Sequence, residues 1–585
     1  MAQLGNRLRA LLGRTRTPDS DKQVISTHSE RKVVVGSILV LLLIGLPLWW
    51  TTTRVYRAAL PVAEISRYAS TDVLHIPVFF HIDADSALPS VAAADIEKTV
   101  RTMVKGTRET RGSGAWPVRY STVVARGKAP SGTPGHYSVR VARSDDGGAG
   151  HSVVDVGPDR TVRIALPKAA QLSAQSVKQS VARVIAAIVS REERAVQQGG
   201  SRALGERKPR QGLRSRESRG ALKFAPHVSV TLTLLNENPV GGAQVDWEIE
   251  KAVAEFLQPL VDALRPLTRL SVTSQVLHHA GPPPVTPIVR NNATYLTPPM
   301  LSHFVNSPSW NLASVDPVAP MLNFILYVPA LASQPVRILE SEGDGAGSVG
   351  TNAFSIPQWG GVAIANLPAH TRPGSRVVLS STELQPHMGV FVAQLRSLLG
   401  IRSDTPLAAS TVSAADDGSA LIERGTGVRV QLASETGVSG WELDALMRQW
   451  TIQGRQTAIT TLQSLVRLVD SLQNMVVMDA IKTQVDQSLA ALAAIDSTQS
   501  AAVADYSAAT SFASAATAAV LAETAFFDPS MVSMLYFPDQ HKYAIYFPFF
   551  LPVAIPVLSA IRHLITASRR RRRKAVPDAA GKKDS

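Results

Sequence analysis

The stretch that most constrains this chain lies near its end, FFDPSMVSMLYFPDQHKYAIYFPFFLPVAIPVLSAIRHLITASRRRRRK from Phe526 to Lys574. Within it, Tyr543–Ile561 carries no charge and is closed by Arg562, then by Arg569 to Arg573 and Lys574. At about 1.5 Å per residue such a run just crosses a hydrocarbon core of about 30 Å. Pro548, Pro552 and Pro556 recur every fourth residue and so share one helical face. An interior proline costs an isolated helix about 3 kcal/mol or more. In a membrane that face is tolerated where neighbouring helices or local adjustments satisfy the freed carbonyls. The three prolines are therefore read as a helix-packing face.

A second apolar run, Val33–Trp50, follows Arg31 and Lys32 and ends on the Trp49–Trp50 pair, as an interfacial aromatic belt would. A cleaved signal peptide competes with this reading. The long preceding region and the lack of a small-residue cleavage site directly after the run favour an uncleaved helix. The net charge of +14 suggests a nucleic-acid binder until its distribution is followed. Residues 1–32 carry +4 and residues 562–585 carry +7, leaving about +3 for the 529 residues between. Basic ends beside apolar runs are what cytoplasmic tails show, so no nucleic-acid partner is expected. There is no cysteine, which excludes disulfides, thiolate metal sites and a cysteine nucleophile.

The expected organisation follows. Residues 1–32 form a cytoplasmic basic tail, 33–50 a first transmembrane helix, and 51–440 a luminal α/β domain. Residues 441–527 form a luminal helical hairpin, 528–542 a membrane-proximal linker, 543–561 the second transmembrane helix, and 562–585 a second cytoplasmic basic tail. The fold class is thus an α/β luminal domain, a mixed sheet with flanking helices, plus a long helical hairpin and two transmembrane helices, one near each terminus.

Short β-branched runs between turn residues read as strands at Val73–Phe80, Val118–Ala125, Tyr137–Ala142 and Thr161–Leu166. A helical stretch over Ala169–Gln197 precedes the arginine- and glycine-rich segment Gly199–Gly220. That segment reads as a solvated loop, with a contact for an acidic partner as the alternative. Val228–Asn236 reads as a buried strand, Asp246–Leu264 as a helix, and Leu270–His278 and Leu322–Val328 as further strands. Strand, helix, strand within about fifty residues indicates an α/β unit. Gly361–Asn366 adds a strand and Gln385–Gly400 a helix. Trp441–Met478 and Asp479–Phe527 read as two long helices, the second rich in alanine, paired antiparallel.

Candidate chemistry is sparse. His81-x-Asp83-x-Asp85 has ligand types that suit a divalent ion, yet alternate residues after a strand are more simply one polar, solvated edge. His278 and His279 could supply a general base for a membrane-tethered luminal hydrolase, but no nucleophile has motif support. Gly437-Val-Ser439-Gly440 lacks the spacing of a nucleophile elbow. The glycines of Gly343–Gly350 are not followed by the lysine a phosphate loop needs. No catalytic residue, cofactor or metal site is assigned. Asn292-Ala293-Thr294 is an N-glycosylation acceptor on the side this topology makes luminal. Lys582 and Lys583 stand fourth and third from the end, the placement of a cytoplasmic dilysine retrieval signal for the endoplasmic reticulum.

Several long blocks carry a family likeness: GLPLWWTTTRVYRAALP (Gly45–Pro61), DWEIEKAVAEFLQPLVDAL (Asp246–Leu264), LNFILYVPAL (Leu322–Leu331) and TNAFSIPQWGG (Thr351–Gly361). They continue with VFVAQLRSLLGI (Val390–Ile401), WELD (Trp441–Asp444) and the block Ala525–Leu558. With these the chain resembles the PIG-S family, a subunit of the GPI transamidase. The resemblance implies a non-catalytic scaffold subunit of an endoplasmic-reticulum membrane complex that joins GPI anchors to precursor proteins. It implies as partners the other transamidase subunits, including a cysteine-protease-like catalytic one, and membrane lipids. It carries over no catalytic residue. A stand-alone luminal cargo-binding protein is the remaining rival.

Overall fold

A computed structural model describes residues 56–200, 222–401, 427–531 and 539–574, apart from short breaks mostly between elements, and part of 33–51. The chain divides into two compact units, Pro61–Gln463 with Gln484–Glu523, and Met1–Leu60 with Ser464–Thr483 and Thr524–Ser585.

The larger unit opens with helix α1 (Val62–Ser70) and a first sheet. Its strands are β1 (Leu74–Ala84), β2 (Val118–Arg126), β3 (His136–Arg143), β4 (Val153–Val156), β5 (Thr161–Leu166) and, from far downstream, β16 (Gly427–Val430), in the order β16-β4-β5-β3-β1-β2. β1 runs parallel to both β2 and β3. Its run from Ile76 to Ile82 is wholly buried, the signature of a central parallel strand covered on both faces. Helices α2 (Ala93–Glu109) and α3 (Ala174–Gly200) pack on each other and on β2. In α2, Ile96, Val100 and Val104 are buried at four-residue spacing, a stripe just sufficient to seat an otherwise polar helix.

The second sheet contains β6 (His227–Asn236), β8 (Arg269–His278), β11 (Met321–Val328), β13 (Ala353–Ile356) and β14 (Gly360–Ile364), in the order β13-β14-β11-β6-β8. All neighbours are parallel except β13, which is antiparallel to β14. Period-two burial divides its residues between two cores. Val230, Leu232, Leu234, Phe324 and Leu326 join a core with the helices α4 (Ile249–Ala252, Val253–Leu257 and Gln258–Leu264) and α5 (Ser381–Leu398). Ile325, Tyr327, Val362 and Ile364 meet Phe304, Trp310 and the small sheet β12-β10-β9, formed by β9 (Ile288–Arg290), β10 (Ala293–Leu296) and β12 (Val336–Ile338).

The expected α/β character holds, with local corrections. The helix expected from Asp246 begins at Ile249, because β7 (Gln244–Trp247) pairs in parallel with β15 (Arg376–Leu379). The helix expected from Gln385 begins a turn earlier, at a capping box in which Ser380 and Glu383 exchange hydrogen bonds. That exchange holds the Glu383 carboxyl below its ordinary value, chiefly through the Ser380 N–H. The expected two-helix hairpin is three helices: α6 (Gly440–Ser471), α7 (Asp479–Gln499) and α8 (Ala508–Phe526). Ahead of α8, Tyr506 is buried beside Phe79 and His136, and the Ala508 N–H donates to Pro134. Tertiary burial there overrides the helical preference of an alanine-rich segment.

In the smaller unit, the residues after the first apolar run are zipped to the segment before α7. Ala58 donates to Val477, Val477 donates to Tyr56, and the Tyr56 hydroxyl donates to Asp479 over 2.8 Å. The described residues between 33 and 51 are helical, with Leu41, Leu43 and Leu48 exposed. Helix α9 (Asp539–Lys574) runs unbroken through Pro548, Pro552 and Pro556, all exposed. Among the described residues, no helix is long and apolar enough to cross a membrane. Several residues of the first apolar run lie outside them.

Candidate functional site

The densest polar constellation of the larger unit surrounds WELD, at the start of α6. Trp441 stacks on Tyr137 of β3, ring centroids 4.1 Å apart, and donates its indole N–H to the Gly157 carbonyl. The Glu442 carboxylate accepts from the Ser439 N–H at 2.8 Å and from Arg396 of α5 at 2.6 Å. Asp444 is fully buried. It accepts two hydrogen bonds from the Arg160 guanidinium, at 2.8 and 2.7 Å, and one from the Gly135 N–H at 3.0 Å. One turn on, Arg448 donates to Glu192 of α3 at 2.5 Å and to the Tyr137 hydroxyl at 2.8 Å.

Burial alone would pull Arg160 and Arg448 below their ordinary values, but Asp444 with Tyr137 beside the first, and Glu192 with Tyr137 and Asp444 beside the second, more than offset it, so both remain charged. Burial likewise holds the Tyr137 phenol well above its usual range, so it stays protonated. Each carboxylate here is fixed in an ion pair and no nucleophile is presented. WELD therefore acts as a brace: Asp444 and Trp441 hold the turn and strand of the first sheet, while Glu442 holds the helix covering the second.

Ser439, the serine of the Gly437–Gly440 segment, is the N-cap of α6. Its Oγ accepts from the Glu442 N–H while Glu442 accepts from the Ser439 N–H. A Ser-x-x-Glu spacing was the available signal for this role. His278 lies 3.8 Å from Asp246, whose carboxylate is held by Arg376 at 2.8 Å, and its Nδ1 has no hydrogen-bond partner. His279 adopts a positive φ of 59°. Among the described residues no hydroxyl hydrogen-bonds to His278.

His81 corrects the reading of a solvated edge: it is buried, with Nε2 2.9 Å from Nδ1 of His136. The Tyr506 carbonyl accepts from His136 Nε2 at 2.9 Å. In the neutral His136 ring that leaves Nδ1 to accept from His81. Burial pushes the His81 imidazole below its ordinary value, which keeps it uncharged in this link. Among the described residues no group of three or more His, Cys, Asp or Glu side chains is placed to hold a metal. Asp85, Asn292, Lys582, Lys583, segment 201–220 and glycines 343–349 lie outside the described residues.

The family model for phosphatidylinositol-glycan biosynthesis class S protein matches residues 36–571. The chain belongs to the PIG-S family. It is 30% identical over 588 residues to the GPI-anchor transamidase component PIGS of Homo sapiens, covering 94% of this chain and 98% of that protein. It is 25% identical over 339 residues to the GPI transamidase component PIG-S homolog of Schizosaccharomyces pombe, over 57% of this chain and 53% of that one. The GPI transamidase component GPI17 of Saccharomyces cerevisiae is 24% identical over 341 residues, 57% of each chain.

In this PIG-S chain two of the recognisable blocks lie in the second sheet. LNFILYVPAL is the central strand β11. TNAFSIPQWGG is the β13–β14 hairpin, where Gly360 adopts a φ of +148° and lies against the Asn323 backbone. Gly361 sits under the Gln394 side chain of α5, whose Nε2 donates to the Phe354 carbonyl at 2.9 Å. Side chains on these glycines would separate the hairpin from its neighbours. The motif preserves a packing arrangement.

Proposed function

We propose that this chain is a non-catalytic scaffold subunit of the GPI transamidase, supporting attachment of GPI anchors to precursor proteins in the endoplasmic reticulum. The observation that carries the reading is family membership, with similarity to a GPI-anchor transamidase component across nearly the whole of both chains. The lack of cysteine agrees with a thiol nucleophile supplied by another, cysteine-protease-like subunit.

In this reading the runs 33–50 and 543–561 span the membrane, with both basic tails cytoplasmic. The α/β domain (51–440), helices of 441–527 and linker 528–542 are luminal. The charge balance of the tails supports that orientation. Asn292 then faces the glycosylation machinery and Lys582–Lys583 the retrieval receptors. The Pro548, Pro552 and Pro556 face of α9 packs against other helices of the complex, and membrane lipids cover the rest.

The reading is tested by purifying the tagged full chain in mild detergent from the cells that make it. The expected preparation carries the other transamidase subunits, the cysteine-protease-like one included. A monomer free of any such subunit would overturn the proposal and favour a stand-alone luminal binding protein.

A further inference from the structure

Two imidazoles are buried together on one face of the first sheet. His81 of β1 is 6% exposed and His136 of β3 is 2% exposed. His81 Nε2 lies 2.9 Å from His136 Nδ1, and His136 Nε2 donates to the Tyr506 carbonyl, also over 2.9 Å. The chain of bonds joins two strands to Tyr506–Ala508, the lead into α8, across a separation of 370 residues. Two further contacts hold that lead. The Ala508 N–H donates to the Pro134 carbonyl over 3.1 Å, and a side chain on Gly135 would meet the Tyr506 ring. Phe79 of β1 stacks nearly parallel on the His136 ring, centroids 4.9 Å apart.

A count of protons decides how the link behaves. A carbonyl only accepts, so His136 Nε2 carries a hydrogen; in the neutral ring Nδ1 then accepts and His81 Nε2 donates. The link is complete with both rings neutral, and one more proton has two places to go. On His136 Nδ1 it sets two N–H groups against each other. On His81 Nδ1 it buries a charge, which is costly unless the charge is paired. The charged groups nearby are already matched: on α6, Asp444 is met by Arg160 and Arg448 by Glu192 of α3. Asp83, two residues along β1, stands opposite Arg140 of β3 and has no pull on His81. Burial and then His136 act on His81, both against its charged form. The Tyr506 phenol, pushed up to about 12 chiefly by burial, stays protonated. On β2, Val123 and Ala125 face Phe79 and His81 in the register, and α8 carries no charge before Glu523.

We infer that His81 and His136 form an acid-sensitive latch, which holds the lead into α8 on the first sheet while both rings are neutral and releases it on protonation. The sign follows from linkage: the imidazoles take up a proton more readily in the released state, so acid favours release. The hold is complete above the ordinary imidazole value of about 6.5 and is lost as pH falls below it. The latch stands on this geometry and does not depend on the subunit reading.

The test is amide hydrogen exchange of the detergent-solubilised full chain at about pH 7.5 and about pH 5.5, either side of the ordinary imidazole value, with rates corrected for the intrinsic effect of pH. The Ala508 amide is expected to lose at least tenfold in protection at the lower pH, while the β6–β11 ladder loses less than twofold. A carboxamide offers both a donor and an acceptor and does not titrate, so the double change His81→Gln, His136→Gln is expected to keep Ala508 protected at both pH values. Exchange of the imidazole C2 hydrogens follows each ring's titration without any substitution, and His81 is expected to titrate below about 6.5. Unchanged Ala508 protection in acid overturns the inference. So does an equal loss in the double variant, or a His81 midpoint at or above the ordinary value. Collapse of the β6–β11 ladder in step with Ala508 is general acid unfolding and also overturns it. If the double variant does not fold, the C2 exchange and the Ala508 rates of the unaltered chain decide.

Discussion

Asp444→Ala is expected to destabilise the larger unit by about 3–5 kcal/mol, the range for removing one partner of a buried ion pair. Asp444 has no exposed side-chain surface, and its loss strands the Arg160 guanidinium, itself mostly buried. It also removes the acceptor of the Gly135 N–H, beside which Tyr506 is packed. Glu442→Ala breaks the neighbouring pair to Arg396, whose side chain is also mostly buried. Its effect should be smaller, because Arg396 keeps the Gly437 carbonyl as an acceptor. The urea midpoint of the detergent-solubilised full chain, followed by tryptophan fluorescence, reads both, since Trp441 stands within the cluster. A shift for Asp444→Ala equivalent to less than about 1 kcal/mol, the level of an exposed pair, would contradict the brace.

Gly360→Ala carries the second large effect. A Cβ there would lie 1.8 Å from the Asn323 carbonyl oxygen and 2.7 Å from that residue's backbone nitrogen, on a strand that cannot move aside. The φ of +148° adds strain of about 1–3 kcal/mol, and forced overpacking about 1–3 kcal/mol more. Gly374 is the matched control, with a φ of +78° and no atom within 4 Å of its added Cβ. Gly374→Ala should cost the strain alone. Equal losses for the two, by the same urea titration, would show that the β11–β14 approach does not govern the motif.

The parts of the fold legible in the sequence were those that a residue's own neighbours determine. β6, β8, β11 and α5 were readable because continuous or periodic apolar residues mark them whatever they pair with. Elements whose existence depends on distant chain were not. β7 and β15 are four residues each and form a two-stranded sheet only by pairing with each other, with Arg376 bonding Asp246 from 130 positions away. The role of WELD was equally hidden, since Asp444 meets Arg160 from a separation of 284 residues and Arg448 meets Glu192 from 256. His81 looked like a polar edge because alternation alone does not say which side of a strand is covered. Two signals were present and unused: the four-residue spacing of Ile96, Val100 and Val104, and the Ser-x-x-Glu spacing ahead of α6.

Family membership, by contrast, was visible in the sequence because the blocks that carry it are long and of unusual composition; one of them, LNFILYVPAL, holds the buried central strand β11.

The central claim, that this chain works as a subunit of the GPI transamidase, is most directly tested by depleting it from the cells that make it. Surface display of GPI-anchored proteins is then read together with their precursors. The account predicts that display falls and precursors retaining their C-terminal signal accumulate, both restored by the intact chain. Normal display with no uncleaved precursor would contradict it.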